Sequence, residues 1–228
     1  MRERVLTPEI LDNLSPADPR AVRSRRDLVL INAVMRQGVI MAGLLSEFPA
    51  PKLIADLGGG DGRFMLGVAR RLARRWQGVT VMIADRQPIV SVETRAGFAR
   101  LGWRCESLTG DVFATLPLIA PDIITANLFL HHLDDDVLAR LLEMGTKRAK
   151  GFVACEPHRS AFALLGARLV GVLGANDVSR HDAVASVRAG FRGRELSQLW
   201  PSSAKHPSWT LRERDIFPFT HGFAAHAL

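Results

Sequence analysis

Four glycines fall within five positions at 58, 59, 60 and 62, interrupted by Asp61 and directly after the run 53–57, which is aliphatic but for Asp56. Such a turn removes side chains where backbone must come close to a ligand, and an apolar helical pattern resumes at Phe64. At the carboxyl end of a first strand in an open α/β sheet, this is a nucleotide-binding position. Further acids close or follow later apolar runs, at Asp85 and Asp111, and Asn127 closes another. An ionised carboxylate offers two acceptor oxygens, which suits a pair of vicinal hydroxyls. His131, His132, His158 and His181 follow the later runs. Imidazole titrates near neutral pH and is the usual proton acceptor when a nucleophile must lose a proton.

The turn discriminates among nucleotides. A dinucleotide fingerprint needs a third glycine three positions after the second, and Arg63 stands there when the count starts from Gly58 and Gly60. No Gly-Lys-Ser or Gly-Lys-Thr follows, which excludes a phosphate-binding P-loop.

The elements that must hold these residues alternate regularly. Strands are expected at 53–57, 79–84, 103–107, 122–126 and 151–156. A helix from Phe64 carries Phe64, Val68, Leu72 and Trp76 on one face; another opens at Pro88 and runs to about Leu101, and a third is capped by Asp134. This order predicts a doubly wound, mostly parallel sheet with right-handed crossovers. After Pro157 come an apolar helix over 160–173, two helical pieces within 182–199 broken at 190–193, and a terminal hairpin over 209–225 that turns near Pro218. The expected fold class is therefore α/β, a Rossmann-like doubly wound seven-stranded sheet with an antiparallel C-terminal hairpin strand. Residues 1–50 read as helical, with apolar positions from Val22 to Leu45 that need a surface to cover, and are assigned as an N-terminal lid on a single domain over 51–228.

Composition narrows the class further. The chain of 228 residues is 47% hydrophobic and 23% charged, as expected of one globular domain. There is no secretory n-region or long uncharged apolar run, so neither a leader nor a membrane span is expected. Cys105 and Cys155 both fall in expected strands and read as buried thiols of a cytoplasmic protein. The net charge of +7 raises nucleic acid as a partner, but the basic residues are scattered and 26 of 30 are arginine, so solvated basic faces are the expectation.

Taken together, Asp56-Leu57-Gly58-Gly59-Gly60-Asp61-Gly62, Asp85, Gly110-Asp111-Val112-Phe113 and Asp122-Ile123-Ile124 leading to Asn127 resemble the class I S-adenosylmethionine-dependent methyltransferases over about residues 50–160. The resemblance implies that Gly58, Gly60, Asp61 and Gly62 cradle the methionine moiety, with Asp56 near its amino group. It implies that Asp85 accepts the ribose hydroxyls with Arg86 beside the adenine, that Asp111 receives the adenine amino group, and that Val112 lies against the ring. Asn127 and Leu128 would flank the sulfonium. The cofactor is then S-adenosylmethionine and the product S-adenosylhomocysteine.

The acceptor follows by exclusion. After the fourth strand the run Asn127-Leu128-Phe129-Leu130 lacks the paired prolines of enzymes that methylate exocyclic base amines, and no Cys-Pro nucleophile for base carbon exists in this region. No nucleic-acid substrate is expected. The sequence resembles the small-molecule branch, including quinone-biosynthesis and natural-product methyltransferases, acting by O- or C-methylation on a hydrophobic or aromatic acceptor. His131, His132, His158 and His181 are the candidate bases; His206, His221 and His226 are expected on the surface. No metal set is expected, because His131 and His132 are adjacent and no carboxylate stands at ligand spacing. The alternatives are a catalytically silent module that binds the same cofactor and a nicotinamide-dependent reductase.

Overall fold

The computed structural model describes residues 3–201 and 208–227. A 3-10 turn at Leu11–Asn13 precedes α1 (Pro19–Val34) and α2 (Gln37–Leu45). The alternating unit follows as β1 (Leu53–Leu57), α3 (Arg63–Leu72), β2 (Thr80–Asp85), α4 (Val92–Ala99), β3 (Arg104–Thr109), α5 (Val112–Thr115), β4 (Ile123–Asn127), α6 (Asp135–Arg148) and β5 (Gly151–Pro157). The chain closes with α7 (Ala161–Leu169), α8 (Asp177–Ala189), α9 (Glu195–Leu199), β6 (Trp209–Ile216) and β7 (Thr220–Ala227).

The seven strands form one sheet in the order β3-β2-β1-β4-β5-β7-β6. β7 runs antiparallel to both β5 and β6, and the remaining six strands are parallel, in agreement with the expected class. Strand order reverses between β1 and β4, the position where an open α/β sheet leaves a crevice at its carboxyl edge.

Side-chain alternation along each buried strand feeds two separate cores. Ile54, Ile123, Val153 and Cys155 face α2 and α3, packing with Met41, Leu45, Met65 and Val68. Ala55, Ile124, Phe152 and Ala154 face the other way, against Leu138, Leu141 and Leu142 of α6 and Leu196 of α9. Alternation thus also divides the functional residues: Asp56, Thr125 and Asn127 share the face of α2 and α3, and Glu156 points to the opposite one.

Several boundaries differ from the expected ones for local reasons. α4 starts at Val92 rather than near Pro88, because the Ser91 hydroxyl accepts the Thr94 N–H at 3.2 Å and supplies the cap. α8 begins five residues before 182, where the Asn176 side chain accepts the Ser179 N–H. β3 is an edge strand shifted toward Thr109, and it leaves Cys105 only half-buried. Cys155 is fully buried, as expected, and burial drives its thiol pKa upward.

The segment 1–50 divides into parts with different surroundings. α2 is part of the core: Met41 and Leu45 are fully buried against the sheet. α1 is far more exposed, with Val29, Leu30 and Val34 each about half open to solvent. Among the described residues no single helix is long and apolar enough to cross a membrane. Leu45→Ala is expected to cost about 2–5 kcal/mol of unfolding free energy in urea titration, the range for truncating a well-packed core leucine. A cost near zero would show that α2 merely rests on the domain.

Candidate active site

The glycine turn joins β1 to α3 with backbone that only glycine adopts readily. Gly58, Gly60 and Gly62 have φ of +64°, +56° and +75°. A Cβ at Gly58 would lie 2.4 Å from the Phe129 ring, and one at Gly59 2.6 Å from the Asp56 carboxylate. At Gly60 nothing lies within 4 Å, so the middle of the turn faces open space.

The acids around it have distinct jobs. Asp85 at the end of β2 accepts the Gly60 N–H at 2.9 Å on one oxygen and the Gln87 N–H at 2.9 Å on the other, so it shapes the turn from the neighbouring strand. Asp111 accepts the Phe113 N–H at 2.8 Å and caps α5 while staying exposed beside half-buried Val112. Asp61 accepts the Arg63 N–H, and Arg86 points into solvent. Asp56 is buried, and among the described residues only the Thr125 hydroxyl donates to it, at 2.7 Å. Burial, reinforced by the nearby Asp85 charge, pushes its pKa up to about 7.

Two amides on the same side of the sheet are incompletely satisfied. Asn127 donates through Nδ2 to Asn32 of α1 at 3.2 Å, which brings the N-terminal helix over the end of β4, while its buried Oδ1 has no partner among the described residues. Gln37, at the start of α2, is fully buried, and both atoms of its amide lack a partner among the described residues. An orphaned buried amide costs on the order of 1–3 kcal/mol unless water or a ligand completes its bonding. Gln37 escaped the sequence reading because a glutamine inside an apolar helix has no spacing signature.

The turn after β4 is fixed from beneath by Glu156, which is fully buried. Its carboxylate accepts N–H groups from Phe129, Leu130 and His131, at 3.0, 2.8 and 3.4 Å, and also faces His131 Nδ1 at 2.7 Å. Leu128 is held at φ +52°, and its N–H is bonded to the Cys155 carbonyl.

The four candidate histidines do not converge. His131 lies between two carboxylates, with Nε2 3.4 Å from Glu9. Burial opposes a charge there, but the hydrogen bonds to Glu156 and Glu9 outweigh it and raise the pKa to about 9. His132 packs on the His131 ring with centroids 4.2 Å apart and has Nδ1 3.5 Å from Asp12; burial and the His131 charge lower its pKa. The pKa of His158 is lowered by burial, against the opposing effects of Asp215, 3.5 Å from Nε2, and a backbone hydrogen bond at Pro218. His181 is exposed on α8, beside Asp182 at 2.9 Å.

Two surface expectations need comment. His221 is fully buried, because β7 places it in register with Glu156 and Asp215 and turns it inward. Its rings' nitrogens meet Glu213 at 2.8 Å and Asp215 at 2.7 Å, and these bonds overcome burial to raise its pKa. His226 is half-buried against Phe48, and His206 lies outside the described residues. The carboxylate absent from the local sequence around His131 and His132 is supplied by folding: Glu9 arrives from 122 residues away.

No protein-family model and no curated protein matches the sequence. Solved structures do. A candidate O-methyltransferase from Nostoc punctiforme PCC 73102 superposes with a TM-score of 0.63 at 14% identity, over 98% of this chain and 64% of that one. The plantazolicin methyltransferase BpumL, solved with S-adenosylhomocysteine, gives 0.62 at 11% identity over 93% and 92%. Human N-acetylserotonin methyltransferase, solved with S-adenosylmethionine, gives 0.54 at 18% identity over 95% and 61%. The chain therefore spans about three-fifths of the first and third and nearly all of BpumL. With its glycine turn at the switch point and its single antiparallel strand, the chain has the fold of the S-adenosylmethionine-dependent methyltransferases.

Proposed function

We propose that the chain is an S-adenosylmethionine-dependent methyltransferase acting on a small hydrophobic or aromatic acceptor by O- or C-methylation. The observation that carries this reading is the buried carboxylate of Asp56 at the base of the open glycine turn, with the unsatisfied Oδ1 of Asn127 at the end of the adjacent strand β4. A buried carboxylate whose described donor is one hydroxyl, and an amide oxygen with none among the described residues, suit a cationic ligand, because burial of such a carboxylate carries a large desolvation cost. When bound, S-adenosylmethionine supplies an electrophilic methyl group on a sulfonium.

The chain's own residues then bind and orient. Asp56 balances the ligand's ammonium, and Asn127 and Leu128 hold the amino-acid end. Gly58, Gly60, Asp61 and Gly62 form the cradle; Asp85 already directs one oxygen at the turn and takes the ribose hydroxyls. Arg86, Asp111 and Val112 flank the adenine. Alignment of acceptor, methyl carbon and sulfur accounts for most of the rate in such a displacement. Of the N-terminal lid assigned to residues 1–50, α1 is the part that covers the site, which the Asn32–Asn127 hydrogen bond supports, and Gln37 anchors a polar atom of the acceptor. Where the acceptor is a phenol a base is needed. His131 is held protonated at neutral pH by its two carboxylates; His158, whose pKa burial lowers, fits that role better. Two free cysteines accord with a cytoplasmic setting.

S-adenosylhomocysteine is expected to raise the melting midpoint and NADH or NADPH to leave it unchanged, because a ligand specific for the native state stabilises it. Asp85→Ala should weaken binding by about 10- to 100-fold, the value of hydrogen bonds to a charged acceptor. A shift produced only by the nicotinamides would overturn the reading, and failure to transfer labelled methyl to any acceptor in a host extract would reduce it to a binding module.

The raised Asp56 pKa adds a pH signature. The ammonium favours the ionised carboxylate, so binding expels the proton that Asp56 holds below about pH 7. Affinity for S-adenosylhomocysteine, measured by calorimetry, should rise up to about tenfold between pH 6 and 7 and level off above it. Asp56→Asn should bind more weakly and lose that slope.

A further inference from the structure

Away from the glycine turn, the first residues of the chain cover the 3-10 turn Leu130–His132 that follows β4. Arg4 donates to the Leu133 carbonyl at 2.9 Å and the Ala189 carbonyl at 2.9 Å, and Asp182 of α8 accepts the Ile10 and Leu11 N–H groups at 2.8 and 3.0 Å. Between strap and turn is a cavity of about 250 Å³, and Glu9, Asp12, His131 and His132 all face it.

We propose that Glu9, His131 and His132, joined by Asp12, form a binding site for a divalent transition metal, with zinc the ion that best suits its donors. One ligand atom from each of Glu9, His131 and His132 lies within 4.8 Å of the others, and the site is empty. Two ligands of a tetrahedral zinc, each at about 2.0–2.2 Å, stand about 3.4 Å apart. His131 Nε2 is 3.4 Å from Glu9 Oε1, and His132 Nδ1 is 3.5 Å from Asp12 Oδ2, so both pairs already have that separation.

The surrounding bonds orient the donors as a metal requires. Glu156 holds His131 Nδ1 at 2.7 Å and directs Nε2 to the cavity, the arrangement in which a carboxylate fixes the tautomer of a metal-bound imidazole. The Ser186 hydroxyl donates to Glu9 Oε1, the oxygen that faces His131, and fixes the position of that carboxylate. In binding, the ion replaces the proton now shared between His131 Nε2 and Glu9, which goes to solvent. The two histidines and two carboxylates make a mixed nitrogen and oxygen set, which favours zinc, cobalt or nickel over magnesium and calcium. The consequence is a metal clamp fastening residues 3–13 to the turn that also carries Asn127 and Leu128.

The test is titration of chelator-stripped chain with Zn²⁺ by calorimetry, and with Co²⁺ by visible absorption. One equivalent of zinc per chain and the intense absorption of four-coordinate cobalt are expected. Glu9→Gln and His132→Ala should each weaken zinc by at least tenfold while keeping the wild-type circular dichroism spectrum in chelator. No stoichiometric binding to the wild type, or equal affinity in both variants, overturns the proposal. Should the variants fail to fold, the cobalt spectrum of the wild type decides, since the weak absorption of a six-coordinate aquo ion rejects the site.

Discussion

A fully buried carboxylate with four partners sets the geometry at the carboxyl edge of the sheet. Glu156 ends on the face of α6 and α9, where it collects three consecutive backbone N–H groups and the His131 ring. An isolated charge there would cost several kcal/mol, and removing a partner from such a group costs about 3–5 kcal/mol. The chain between β4 and α6 is therefore confined to one path. Leu128 stays in the left-handed region and the Phe129 ring stays against Gly58, so an interaction on one face of the sheet fixes the glycine turn on the other.

That coupling explains why the turn needs glycine at position 58 as well as at 60. Gly60 faces open space, where a ligand approaches, whereas Gly58 is pressed by Phe129 and has no room for a methyl group. Asp85 closes the arrangement from β2 by holding the Gly60 N–H. Three strands thus contribute to one loop: β1 begins it, β2 supplies its acceptor, and β4 supplies the ring that packs against it. Changes in any of the three would reach the proposed cofactor site without touching the ligand.

Most of the sheet was legible from residue order because parallel strands buried on both faces are continuous apolar runs, each ending at an acid or amide: Asp56 in β1, Asp85 after β2, Asn127 closing β4. The glycine turn was legible for the same reason, since its side chains are absent where backbone must come close. What sequence did not reveal is everything that long-range contact decides. His131 and His132 read as candidate bases, and only the arrival of Glu9 and Glu156 makes one of them a cation. His221 read as a surface residue because a histidine near a hairpin has no local reason to be inside; register with Asp215 and Glu156 turns it in. Likewise α2 carried the same apolar pattern as α1, and only packing separates the buried helix from the exposed one.

The two faces of the sheet carry different electrostatics, which bears on how binding at one edge is felt elsewhere. On the α2 and α3 face, among the described residues, Asp56 has no cationic partner and Asn127 Oδ1 no donor, the two groups that the proposed cofactor would satisfy. On the opposite face, the charges are paired: His131 with Glu156 and Glu9, His221 with Glu213 and Asp215. Paired buried ions hold a single geometry, because displacing one partner strands the other. A rigid face bonded through Glu156 to the post-β4 turn leaves the incomplete face little freedom to relieve its own deficit by collapse. In the proposed complex the cofactor's ammonium would meet a carboxyl that burial drives toward its neutral form, so that part of the cost of burying Asp56 would return as affinity for the ligand.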